Sequence, residues 1–116
     1  MKITNLDKEK KVRVDMEGAK DAYKQVPVSA HDGAPSFSFR VFTVEPGGHT
    51  AFHTHPFEHV NYIISGHGAL VTEGGKELPV SEGDFALILP NEAHQYRNKA
   101  EDHPLVLICA VPKEYE

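Results

Sequence analysis

The sequence predicts an all-β domain, either a sandwich or a barrel of short strands. Its apolar residues fall into many short segments that contain valine and isoleucine and are separated by turn residues such as glycine and proline. Short strands with regular turn signals are typical of β-sandwiches and β-barrels. No segment carries the long apolar stripe, with a period of about 3.6 residues, that indicates an amphipathic helix.

The first predicted strands lie in the N-terminal half of the chain. Residues 11–16 alternate apolar and charged side chains, which is the pattern of a half-buried strand. Residues 37–44 are rich in aromatic and β-branched side chains, and the Glu-Pro-Gly-Gly run that follows is predicted to end this strand in a turn. Residues 60–64 form the next predicted strand, which a Ser-Gly pair closes.

The same alternation of strands and turns continues in the C-terminal half. Residues 69–72 and 78–80 flank a Glu-Gly-Gly-Lys run, whose glycine pair suits a tight hairpin. Residues 85–89 and 105–111 are apolar runs bounded by proline or polar residues. Periodicity alone does not separate such runs from a buried helix, but their shortness and their content of valine and isoleucine favour strands.

Length, charge and cysteine content narrow the class of protein. A chain of 116 residues is of the size expected for one domain. Its formal net charge of −5 and its lack of a basic cluster argue against nucleic acid or an anionic membrane as a partner. No apolar run approaches the ~18 residues of a membrane span, and the start of the chain lacks a signal-peptide core. The single cysteine, Cys109, excludes an internal disulfide, and a cytoplasmic location is the simplest interpretation.

Four histidines predict a metal site. His53, His55 and His59 lie close together in the sequence, and His94 follows in a separate segment. Neutral imidazole is the commonest side-chain metal ligand. Because residues i and i+2 of a strand point to the same face, His53 and His55 could bind one ion from one strand, and a return strand would bring His59 beside them.

The spacing of these residues resembles the two signature motifs of the cupins, a family of small β-barrel metalloproteins. The first motif is matched by Gly47, His53, His55 and Gly66, and His59 stands at the usual glutamate position. The second is matched by Gly83, His94 and Asn98, whereas Pro90 lies one residue late and Glu92 replaces a glycine. The resemblance is to small bacterial and archaeal cupins with all-histidine sites. It implies a jelly-roll barrel, or double-stranded β-helix, in about residues 36–112, preceded by extension strands in about residues 1–35.

The replacement of the usual glutamate makes Glu58 a rival ligand. Neighbouring side chains in a strand point to opposite faces, so only one of Glu58 and His59 can face the other histidines. The motif spacing selects His59. Glu58 would be the ligand if the turn at Pro56 shifted the register.

The donor set restricts the metal and its chemistry. Four imidazole nitrogens suit iron, nickel, copper or zinc and disfavour magnesium and calcium, and the resemblance adds manganese. A six-coordinate divalent ion would keep two positions open, as in a catalytic site, whereas a closed zinc site would be structural. No catalytic residue is identified, because the sequence shows no nucleophile–base set and no phosphate-binding loop.

Four further residues are candidates for contact with a small-molecule substrate. Tyr96 follows His94 by two positions, and a core aromatic residue is the alternative interpretation. Arg40 lies in an apolar strand and either extends to the surface or points inward to hold an anion. Asn61, like Ile63, shares the parity of His59. Cys109 is by default a buried inert thiol.

The remaining histidines and Phe57 are assigned outside the metal site. His31, His67 and His103 are expected at the surface, and His49 at the mouth of the pocket only if the strand runs straight past the preceding glycine pair. Phe57 is predicted to shield the ligands from water.

The expected function is that of a small metal-dependent oxidoreductase, similar to a dioxygenase, acting on an oxygenated or aromatic molecule. The alternatives are a binding module without turnover and a metal-dependent isomerase or lyase, since cupins include all of these. A homodimer is also expected, because the stretch up to residue 28 carries a strand pattern and an extra edge strand must be covered or paired.

Overall fold

The computed structural model describes all 116 residues and contains nine strands and four short 3-10 turns. The strands are β1 (Val12–Arg13), β2 (Lys20–Val28), β3 (Phe37–His49), β4 (His59–Ser65), β5 (His67–Thr72), β6 (Glu77–Ser81), β7 (Phe85–Ile88), β8 (His94–Arg97) and β9 (Leu105–Pro112). The 3-10 turns are Leu6–Lys8, Ala30–Asp32, Glu73–Gly75 and Lys113–Tyr115. None of its helices is long and apolar enough to cross a membrane.

All strand pairs are antiparallel, and they form one curled sheet with the order β6-β5-β8-β3-β9-β4-β7, to which β2 and then β1 are added beside β3. The long strand β3 joins the two halves of the barrel. Its first eight residues pair with β9, and its last residue, His49, pairs with Arg97 of β8. The predicted all-β jelly-roll barrel is confirmed.

Most predicted strands of the C-terminal half are present within a residue or two of their expected ends. In the β5–β6 hairpin, Gly74 and Gly75 both have φ +83, and the amide of Thr72 donates to the carbonyl of Lys76 at 2.8 Å. A left-handed conformation at two consecutive positions is easily reached only by glycine. The hairpin predicted from the glycine pair is therefore observed.

The turn predicted at residues 45–48 is wrong, because β3 continues through it to His49. Gly47 has φ +78, and the register between β2 and β3 shifts between Lys20 and Ala22. A Cβ on Gly48 would lie 2.6 Å from the carbonyl oxygen of Lys20. The glycine pair therefore does not reverse the chain. It allows an irregularity in the strand and a close approach of the β2 and β3 backbones.

The N-terminal prediction is correct only in part. Of residues 11–16, only Val12 and Arg13 form a strand, and Val12 is exposed. The main N-terminal strand is β2, which pairs with β3 and leaves most of its other edge without a partner strand. The short β8, which includes His94, was not predicted as a strand.

The core consists of side chains that point into the barrel from both halves of the sheet. In β9, burial alternates strictly, so that Leu105, Leu107, Cys109 and Val111 face inward. The largest buried cluster comprises Ala22, Val44, Ile63, Leu70, Val80, Ile88, Tyr96, Leu105 and Leu107. Burial at about 25 cal/mol per Å² of apolar surface is the main force that holds these strands together. One end of this interior opens into the cavity described below.

Candidate metal centre

His53 and His94 are brought together by an isolated antiparallel bridge. The amide of each residue donates to the carbonyl of the other, at 3.2 Å from His53 and 3.1 Å from His94. Directly opposite residues of an antiparallel pair carry their side chains on the same face. The two imidazoles therefore both face the barrel interior, although residues 50–58 form a loop and not the strand that the sequence predicts.

His55 and His59 complete a cluster of four imidazoles. His55 lies in the loop, where its carbonyl accepts a hydrogen bond from the amide of Asn91 at 2.8 Å, and His59 begins β4. One nitrogen from each of His53, His55 and His94 lies within 4.8 Å of the others. His59 Nε2 is 3.2 Å from His94 Nε2, and its ring centroid is 5.0 Å from that of His55.

Backbone carbonyls set the tautomers of two of these imidazoles. His55 Nδ1 lies 2.8 Å from the carbonyl oxygen of Phe57, and His94 Nδ1 lies 2.8 Å from that of Glu92. A carbonyl oxygen only accepts, so Nδ1 carries the proton in both rings and Nε2 keeps a free lone pair. This is the arrangement that orients metal-binding histidines in proteins.

The environment lowers the pKa of three of these imidazoles, which favours their uncharged form at neutral pH. Burial lowers the pKa of His53 to about 4 and that of His59 to about 3, and repulsion from the neighbouring imidazoles acts in the same direction. Burial also lowers the pKa of His94, although its bond to the Glu92 carbonyl opposes this. Because only neutral imidazole coordinates a metal, the charge state fits a divalent transition ion.

His59, and not Glu58, points into the barrel. The His59 side chain is only 5% exposed, whereas Glu58 lies at the surface. The alternation of β4 continues inward with Asn61 and Ile63, both about 1% exposed. The structure therefore places at the inner position the residue that the motif spacing selected.

A cavity of about 540 Å³ lies over the histidine cluster. It is bordered by the four imidazoles and by all four residues predicted to contact a substrate, namely Arg40, Asn61, Tyr96 and Cys109. Arg40 thus points inward, because its neighbour across the sheet is Cys109 on the inner face of β9. The structure brings these residues together in one space, and their role as substrate contacts stays a prediction.

The hydroxyl of Tyr96 forms a hydrogen bond with a buried side chain. It donates to Asn61 Oδ1 at 2.8 Å, and the two side chains are 3% and 1% exposed. Burial raises the pKa of the Tyr96 hydroxyl, and Cys109 acts in the same direction. Tyr96 therefore remains a neutral donor that holds Asn61 in place, and it also belongs to the hydrophobic core.

Two aromatic rings stack in sequence beside His55. Phe57 stacks on His55 with a centroid distance of 3.9 Å and an angle of 8°, as predicted for a shielding residue. Tyr115 stacks in turn on Phe57, at 3.8 Å and 14°. Neither Tyr115 nor the stretch of residues 12–16, which also borders the cavity, carries a local sequence signal for a site.

The other histidines lie outside this cavity. His49 ends β3, with Nδ1 3.2 Å from the carbonyl oxygen of Thr50, and it is not among the lining residues. Gly47, with φ +78, interrupts the straight strand on which a place for His49 at the pocket mouth depended. His31, His67 and His103 are exposed, as predicted.

The metal-free protein is expected to lose stability as the pH falls below about 6.5, the pKa of histidine in an unfolded chain. His53 and His59 titrate only at about 4 and about 3 in the folded chain, so the unfolded chain binds protons first. Their contribution is complete above the unfolded pKa and declines as the pH falls toward these values. Urea midpoints at about pH 7 and pH 5 measure it.

A matched pair of variants identifies the source of this pH dependence. His59→Gln removes a buried titrating group, so the difference between the two midpoints should shrink. His103→Gln removes an exposed histidine and should leave the difference unchanged. Equal midpoints at both pH values in the unmodified chain would contradict the interpretation.

Comparison with known proteins gives consistent matches. Residues 40–111 match the family model of the cupin domain. The structure of the polyketide cyclase RemF from Streptomyces resistomycificus is similar, with a TM-score of 0.90 and 27% sequence identity over 97% of this chain and 79% of that one. Rru_A2000 from Rhodospirillum rubrum, a cupin-2 domain, gives a TM-score of 0.81 and 24% identity over 96% of this chain and 74% of that one.

One curated relative is an enzyme. The chain is 38% identical over 52 residues to the (R)-mandelonitrile lyase of Granulicella tundricola, and the match covers 45% of this chain and 40% of the lyase. The chain therefore aligns with less than half of that protein.

Proposed function

We propose that this chain, which belongs to the cupin domain family, binds one divalent transition-metal ion through His53, His55, His59 and His94 and acts on a small oxygen-containing molecule in the adjacent cavity. The observation that carries this proposal is the convergence of four imidazoles beside one cavity. In two of them the backbone holds the proton on Nδ1, which leaves Nε2 for the ion.

The reaction class that we favour is a lyase- or cyclase-type reaction without net oxidation. When bound, the ion would act as a Lewis acid on a substrate oxygen, and four neutral ligands would leave its charge uncancelled. The names of two relatives, a polyketide cyclase and an (R)-mandelonitrile lyase, support this class. The second candidate is the oxidoreductase expected from the sequence, which the all-nitrogen donor set supports because it suits redox-active iron and copper.

The chain's own residues would orient the substrate and exclude water. Tyr96 holds Asn61 with its side chain at the cavity wall. Phe57 and Tyr115 form an apolar cover over His55. Exclusion of water strengthens every electrostatic interaction inside such a site.

Metal analysis and two activity assays test this proposal. Protein purified without added metal should contain close to one equivalent of manganese, iron, nickel, copper or zinc by elemental analysis. Turnover of mandelonitrile without oxygen uptake would favour the lyase class, and oxygen uptake with an aromatic substrate would favour the oxidoreductase. A folded protein that takes up none of these metals when they are added would contradict the proposal.

We also propose that the chain forms a homodimer through the apolar outer face of its sheet. Exposed apolar side chains form a row across neighbouring strands, where Phe39 pairs with Ala110, Ala110 with Val60, and Val60 with Leu87. Phe85, which is 74% exposed, extends this row. Contiguous apolar surface of this kind commonly marks an interface, and the open edge of β2 lies beside it.

Phe85→Asp is expected to convert the dimer to a monomer, because a carboxylate within the apolar contact would be buried without a partner. Sedimentation at micromolar concentration measures the mass. Leu78→Asp on β6, at the opposite end of the sheet order, is the control and should stay dimeric. A monomeric mass for the unmodified chain would refute the proposal.

A further inference from the structure

The guanidinium group of Arg40 has fewer partners than its burial requires. Its side chain is 15% exposed, Nη2 donates to Cys109 Sγ at 3.0 Å, and Nε is buried without a hydrogen-bond partner. A guanidinium carries five N–H donors in a planar fork, and a buried donor without an acceptor costs about 1–3 kcal/mol. Such a group at the wall of a cavity is suited to a ligand that supplies acceptors.

A carboxylate of the same chain already lies beside this arginine. Glu116 Oε1 is 3.6 Å from Arg40 Nη1, which is too long for a hydrogen bond, while both carboxylate oxygens accept from Lys24 Nζ at 2.9 and 3.0 Å. A paired arginine and carboxylate normally form two parallel bonds of about 2.7–2.9 Å. Glu116 therefore supplies the charge that Arg40 requires but not the two-oxygen contact.

This pair of cations belongs to the cavity above the histidines. Arg40 and Lys24 both line it, and among the other lining residues Arg13 is basic and Asp15 is the single acid. Cys109 Sγ, the partner of Arg40, is 3.4 Å from His59 Nδ1. Glu116 is the carboxylate that faces both Lys24 and Arg40, so an anion that displaced it would meet two cations one side chain away from the proposed metal ligands.

We infer that Arg40 and Lys24 form a binding site for the carboxylate group of a small ligand, and that Glu116 occupies this site as an internal competitor. This inference deepens the proposed function, on which it rests for the role of the ligand, by selecting a substrate that carries a carboxylate group; neutral mandelonitrile serves the earlier assay only as a probe of the reaction class. Binding moves the Glu116 side chain off Lys24 and gives the Arg40 fork its two acceptors. The Tyr115–Phe57 stack holds Glu116 near the cavity until then.

Calorimetric titration of the metal-free full chain with benzoate, and with benzamide as the neutral isostere, tests this inference. Benzoate should bind more tightly than benzamide. Arg40→Gln should weaken benzoate binding by about tenfold or more, because a charge-assisted bidentate contact is lost. Glu116→Gln should strengthen it by roughly tenfold, because the competing carboxylate is gone. Glu114→Gln removes the same charge from an exposed position of the same turn and should bind like the unmodified chain.

The inference is overturned if benzamide binds as tightly as benzoate, or if Glu116→Gln and Glu114→Gln give the same affinity. Arg40→Lys keeps the charge without the fork, so it provides a folded alternative should Arg40→Gln unfold, and it should bind benzoate several-fold more weakly than the unmodified chain. Metal uptake by the same variants, measured by elemental analysis after the metal is added back and the excess is dialysed away, separates the carboxylate site from the metal centre. A loaded metal site without preference for benzoate rejects the carboxylate site alone, and a preference for benzoate without metal uptake rejects the metal centre alone.

Discussion

Replacing His59 by alanine is expected to abolish most metal binding. His59 Nε2 lies 3.2 Å from His94 Nε2 inside the barrel, and its removal takes away one of four nitrogen donors. Loss of a direct ligand should reduce affinity by more than the roughly 10–100-fold that loss of an outer partner costs. Elemental analysis after dialysis, with circular dichroism to verify folding, measures the effect.

Glu58→Ala is the matched control for this experiment. Glu58 is the adjacent residue and the usual ligand type of related sites, but it is exposed on the opposite face of the strand. The variant should retain its metal. If Glu58→Ala empties the site and His59→Ala leaves it full, the proposed set of four histidines is wrong and the site is one of three histidines and one glutamate.

Replacing Gly66 by alanine is expected to destabilise the protein strongly. Gly66 has φ +83, and an added Cβ would lie 2.2 Å from the carbonyl oxygen of Pro104. The left-handed backbone alone costs about 1–2 kcal/mol for a residue with a side chain. Since the clash is with backbone, β4 and β9 must also move apart, which adds roughly 1–3 kcal/mol. Urea unfolding measures the free energy of unfolding.

Gly83→Ala separates these two costs. Gly83 has φ +95, but nothing lies within 4 Å of an added Cβ. This variant should therefore show only the backbone cost of about 1–2 kcal/mol. Equal losses of stability in the two variants would mean that the contact between Gly66 and Pro104 contributes nothing.

The local sequence pattern was sufficient to predict the strands whose side chains line the interior of the barrel. Residues 60–64 and 105–111 are apolar over the length of a strand, and they form β4 and β9 with ends close to those predicted. The glycine pair of the β5–β6 hairpin needs positive φ at two positions, which no other residue adopts as easily. In these segments, burial and backbone preference favour the same structure.

Local pattern failed where a second strand decides the outcome. The Glu-Pro-Gly-Gly run has the composition of a turn, yet β3 continues through it because Gly48 allows the backbone of β2 to approach. Residues 11–16 alternate like a strand, but only Val12 and Arg13 form ladder pairs with β2. In both cases the outcome depends on pairing with a neighbouring strand, which the composition of the segment itself does not encode.

By itself, the sequence determined the fold class and the set of histidines to consider, because short strands, turn glycines and the spacing of His53, His55, His59 and His94 are local features of the chain. Only the tertiary structure decided how these residues are placed. It joined the two halves of the sheet through β3, brought His94 opposite His53 and held the proton of His55 and His94 on Nδ1. It also placed Glu116 beside Arg40, which lies 76 positions earlier in the chain. Contacts between such distant residues depend on the path of the whole backbone, and for that reason the ligand cavity could not be derived from sequence spacing alone.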